Sequence, residues 1–111
     1  MFGLPDKTIE MINGIFSQYP EIEKVIVYGS RARGDYGNGS DIDLTICGNV
    51  SLDDRFRISG MIDDLPIPYT CDLSIFREIK SENLIEHIER VGQIFYERSE
   101  QRSPAFGGFA L

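Results

Sequence analysis

Two carboxylates, Asp41 and Asp43, stand two residues apart at one end of the stretch GSRARGDYGNGSDIDL, and a Gly29–Ser30 pair stands at the other. Read as the start of a strand, DIDLTIC (41–47) turns Ile42, Leu44 and Ile46 to one face and Asp41, Asp43 and Thr45 to the other. A third acid, Asp72, falls on the polar face of YTCDLSIF (69–76), whose Tyr69, Cys71, Leu73 and Ile75 form the opposite face. Like charges gathered this way raise one another's proton affinity unless a cation joins them. A divalent metal is the usual solution.

Side chains two residues apart along a strand are separated by roughly 6–7 Å, so Asp41 and Asp43 can flank one ion and reach a second. Asp72 from a neighbouring strand would complete the ligand set. All three donors are hard oxygens with no His or Cys among them, a set that suits Mg²⁺ or Mn²⁺ better than Zn²⁺. Such ions fill their shells with water and phosphate oxygens, which makes a nucleotide the expected remaining ligand. Glycine at position 29 lets backbone approach a phosphate, and the N–H groups of a Gly-Ser turn with the Ser30 hydroxyl can donate to its oxygens.

Arg31 and Arg33 are the basic residues next to these acids; each either touches phosphate or pairs with an acid and faces solvent. Ser40 counts with the nucleotide-binding group, its other reading being a lead into the strand. The glycines and Tyr36 of RGDYGNGS read as a flexible lid over a nucleotide, the alternative being a loop without fixed structure. His87 has no second His or Cys nearby and reads as a helix-edge residue rather than a ligand. Cys47 has the parity of the acids and Cys71 that of the core, so the two should not pair.

These residues need elements to hold them. Ile9, Ile12, Phe16 and Tyr19 form one stripe of an amphipathic helix within residues 5–19, stopped by Pro20. KVIVYGS (24–30) reads as a buried strand running into a turn at Gly29–Ser30. Ser51 with Asp54 resembles a capping box opening a helix to about Leu65, with Ile58, Met61, Ile62 and Leu65 on its buried side. Ser81 caps a last helix through Val91, and QIFYE (93–97) closes the sheet. The order implies an α/β (α+β) domain: a small mixed sheet of about four strands with helices packed on it. Residues 1–98 form that domain, and 99–111 a tail that is disordered or laid against a partner.

The combination of GS, ten residues and DID, with Asp72 in YTCDLS, resembles the minimal nucleotidyltransferases of the DNA polymerase β superfamily, over nearly the whole chain up to IFYE. The resemblance implies the nucleotidyltransferase fold. It implies that Gly29 and Ser30 hold a triphosphate, that Asp41 and Asp43 bind metal, and that Asp72 shares the catalytic metal and helps deprotonate the attacking hydroxyl. The implied reaction moves a nucleoside monophosphate and releases pyrophosphate. Many stand-alone members resemble the antitoxin half of a module whose other half is a HEPN-domain ribonuclease toxin, so the implied cofactor is Mg²⁺ (two ions), the nucleotide ATP, and the acceptor a tyrosine hydroxyl of the toxin. An antitoxin that neutralises its partner by binding alone is the alternative. An enzyme acting on a small acceptor ranks behind both, because the chain carries no further domain to enclose one.

The whole-chain quantities fit this reading. At 111 residues the chain has room for one core. A formal charge of −7 argues against a sequence-independent grip on nucleic-acid backbone, which needs clustered Lys and Arg. No apolar run approaches a membrane span and the first residues lack the pattern of a secretory signal, so the cytoplasm is the expected compartment.

Overall fold

The computed structural model describes residues 1–37 and 39–98; the tail expected at 99–111 lies outside the described residues. Helix α1 (Asp6–Phe16) leads to strand β1 (Ile22–Tyr28), a short helix α2 (Gly29–Arg33) and strand β2 (Ile42–Gly48). Helix α3 (Leu52–Asp63), strand β3 (Cys71–Ile75), a 3₁₀ turn at Phe76–Glu78, helix α4 (Glu82–Val91) and strand β4 (Gln93–Glu97) follow. The four strands form one sheet in the order β3-β2-β1-β4. β1 is antiparallel to both β2 and β4, whereas β3 is parallel to β2, so the sheet is mixed.

The parallel pair follows from the chain path. Helix α3 carries the chain back along the sheet between β2 and β3, as parallel neighbours require. Ser51 caps its start, accepting from the Asp54 N–H at 3.0 Å, and Ser81 caps α4 by accepting from Leu84 N–H at 3.2 Å. Both caps stand where the sequence places them.

Strand alternation divides the sheet into two chemically different faces. Val27, Leu44 and Leu73 line up in one row and Val25, Ile46 and Ile75 in another. These residues meet Ile12, Ile15 and Phe16 of α1 and Ile58 and Ile62 of α3 in a single buried core. The other face carries the rows Tyr28–Asp43–Asp72 and Ile26–Thr45–Ser74, with α4 packed over its β1 side. Within α4 Ile88 is buried, and Leu84 and Val91 are half-buried.

Several boundaries differ from the sequence reading: the strand expected at 69–76 is confined to Cys71–Ile75, and the helix expected to reach about Leu65 ends at Asp63. The first helix ends at Phe16, so Tyr19 packs on the core from beyond it. The first strand runs from Ile22 to Tyr28, and Gly29–Ser30 begin a helical turn rather than a plain turn. Asp41 lies one residue before β2 and is exposed, because the ladder to β3 begins at Ile42.

Candidate active site

The sheet register brings the acids together. Asp43 on β2 and Asp72 on β3 are direct neighbours across the parallel pair, and Tyr28 on β1 flanks Asp43 from the other side. Asp41 borders the same group. Burial, then the charges of Asp72 and Asp41, push the Asp43 carboxyl above its ordinary value, with His87 acting in the opposite direction. None of these three carboxylates joins a salt bridge among the described residues.

Gly29 closes this row from above. Its φ of +73° lies in the left-handed region, and a Cβ there would run into Asp43 Oδ2. Glycine therefore meets two demands at once: it turns the chain from strand into α2 and leaves the carboxylate uncovered. Ser30 follows in the first turn of α2, where backbone N–H groups have no partner within the helix.

The two arginines are placed differently. Arg31 is only 2% exposed, and its guanidinium donates to backbone carbonyls, at 3.1 and 2.9 Å to Ser40 O and at 3.0 Å to Phe2 O. Three of its five N–H donors thus meet acceptors inside the protein and solvent hardly reaches it, so this geometry favours a structural part for Arg31 over the phosphate contact expected from sequence. Arg33 is exposed and pairs with Asp35 at 3.2 Å, the acid-pairing alternative. Ser40 Oγ accepts from Gly37 N–H at 2.8 Å, so this hydroxyl shapes the loop.

Two residues that sequence reasoning did not select border the acids. Tyr28 is buried, and its phenol is pushed above the ordinary value chiefly by burial, with the nearby Ser74 hydroxyl acting in the opposite direction. His87 of α4 meets the Tyr28 ring edge-on, with ring centroids 6.2 Å apart. The available signal was Tyr28 itself, the residue before Gly29; only the strand register shows that it stands beside Asp43. Cys47 and Cys71 are both free thiols, and burial raises Cys71 to about 12.

Among the described residues no cluster of three or more His, Cys, Asp or Glu side chains is gathered closely enough to hold a metal ion. The donor set nevertheless fits Mg²⁺ or Mn²⁺ chemically: hard oxygens, unneutralised charge, and a glycine cradle that keeps one carboxylate open.

Residues 10–101 match the polymerase beta nucleotidyltransferase family. The chain belongs to that family. Over 45 residues it is 49% identical to the protein named Putative protein adenylyltransferase MJ0604, from Methanocaldococcus jannaschii; the match covers 40% of this chain and 45% of that relative, less than half of its length. Among solved structures, a toxin-antitoxin with AMP-PNP superposes with a TM-score of 0.66 at 17% identity, covering 88% of this chain and 77% of that one. A tri-AMPylated Shewanella oneidensis HEPN toxin in complex with MNT antitoxin superposes with a TM-score of 0.62 at 14% identity, covering 86% and 75%. At such identities the superpositions establish the fold.

Proposed function

We propose that this nucleotidyltransferase-family chain is a Mg²⁺-dependent adenylyltransferase and antitoxin, moving AMP from ATP to a tyrosine hydroxyl of a HEPN-type toxin partner. The observation that carries the proposal is the Tyr28–Asp43–Asp72 row with the Gly29 backbone closed onto Asp43. The named relative and the toxin-antitoxin structures of the same fold support the acceptor class.

Asp41, Asp43 and Asp72 would hold the metal, two Mg²⁺ ions or Mn²⁺ in their place. Bound there, the metal supplies charge neutralisation and a lowered pKa for the attacking hydroxyl. Gly29 and Ser30 offer N–H groups and a hydroxyl to the triphosphate oxygens, and exposed Arg33 lies one turn further along α2. Asp72 is exposed at the open side of the row, where an acceptor hydroxyl can reach it and give up its proton. The acceptor oxygen forms a bond to the α-phosphorus as the bond to the β-phosphate bridge breaks, and pyrophosphate leaves with the charge. The step requires no nucleophile from this chain, because the acceptor hydroxyl attacks the phosphorus directly.

Among the described residues no helix is long and apolar enough to cross a membrane. The reading assigns the chain to the cytoplasm, where ATP and a toxin partner meet it. The test is incubation with labelled ATP, Mg²⁺ and the product of the adjacent gene. Label on the partner's tyrosine is expected; failure to transfer label from any of the four nucleotides would sink the reading. If Asp41→Asn with Asp43→Asn still neutralised the partner fully, neutralisation by binding alone would be favoured instead.

A further inference from the structure

Arg31 is a buried guanidinium with no carboxylate bound to it among the described residues. Burying such a charge is costly unless its donors are satisfied, and here backbone carbonyls and aromatic faces take that part. Its Nε and Nη2 both converge on Ser40 O, while Nη1 reaches Phe2 O. The guanidinium carbon lies 5.1 Å from the ring centroids of both Tyr36 and Tyr69. Four separate segments therefore meet on one side chain: the N-terminal residues, the loop after α2, the residue before Asp41, and the approach to β3.

The grip on Ser40 has a consequence for Asp41. A peptide unit is rigid and planar, so holding the Ser40 carbonyl at two points also orients the Asp41 nitrogen and Cα. On the next peptide, Ile42 N–H donates to Thr70 O at 2.9 Å and ties the chain to the segment that carries Asp72. Asp41 sits between these two fixed points. We infer that Arg31 is a positioning residue: its fork on Ser40 O, with the Tyr36 and Tyr69 rings over its guanidinium, presents Asp41 to the acid row.

The inference rests on the proposed function for its catalytic meaning, but its structural content is separable. A lysine keeps the charge and loses the planar fork, so Arg31→Lys is the informative variant. Three readouts apply: amide hydrogen exchange at Ser40 and Ile42, Mn²⁺ binding to nucleotide-free protein by electron paramagnetic resonance, and the ATP KM beside kcat. Exchange at both amides is expected to quicken by about tenfold or more as local opening becomes easier. Mn²⁺ affinity is expected to fall ~10–100-fold, as when the supports of metal-binding side chains are removed, with kcat reduced and ATP KM little changed.

Unchanged exchange at Ser40 and Ile42 overturns the inference. So does unchanged Mn²⁺ binding together with a raised ATP KM, the pattern of a phosphate ligand. If Arg31→Lys fails to fold, Tyr36→Ala removes one exposed ring over the guanidinium and is read by the same measurements; no change in exchange there overturns it equally. If the wild-type chain transferred no nucleotide, the functional proposal would fall while the exchange result would still decide the role of Arg31.

Discussion

Replacing Gly29 with Ala separates two effects that Gly29 combines. An alanine held at φ of +73° incurs the left-handed backbone penalty, about 1–2 kcal/mol. For a domain near 100 residues each kcal/mol lowers Tm by roughly 4–8 °C. The new Cβ also collides with Asp43 Oδ2, and that carboxylate must move. A displacement of about 1 Å at a reacting centre costs on the order of 100-fold in rate. Gly34 provides the control. Its φ is +91°, yet a Cβ there meets nothing within 4 Å. Gly34→Ala and Gly29→Ala should therefore lose similar thermal stability in a differential scanning calorimetry experiment. Only Gly29→Ala should lose transfer of labelled AMP to the partner. Equal transfer by the two variants would refute the reasoning, because the collision with Asp43 would then have no functional consequence.

The remaining expectations concern charge, core and surface. The folded Asp43 carboxyl is raised above its ordinary value of 3.8, so the stabilising, protonated state is fully present below that value and is lost as pH rises through the folded pKa. Asp43→Asn should accordingly raise Tm at pH 7 while abolishing transfer, with the gain in Tm shrinking below the ordinary carboxylate value; a variant less stable than wild type at pH 7 would contradict the electrostatic account. Leu44 is fully buried between Val27 and Leu73, and Leu44→Ala should cost about 2–5 kcal/mol in urea unfolding. Phe56 is 73% exposed on α3, so Phe56→Ser should shift stability by no more than about 0.5 kcal/mol in the same assay.

Much of this molecule is legible in its residue order. The period-two alternation of DIDLTIC and YTCDLS separates an apolar face from an acidic one, and the caps at Ser51 and Ser81 mark helix starts through short-range hydrogen bonds. These are local signals, set by neighbours within four residues. The acids of the candidate site and the Gly29–Ser30 pair belong to the same kind of pattern, since like carboxylates on one strand face call for a partner wherever the strand lies. Register is different. That Asp43 stands beside Asp72 and Tyr28 depends on which strands pair and in what phase, and a slip of one residue would send every side chain to the opposite face. The role of Arg31 also needed tertiary structure. Sequence places it next to acids; packing buries it against Ser40 and Phe2, because its planar fork can donate at once to carbonyls that lie far apart along the chain.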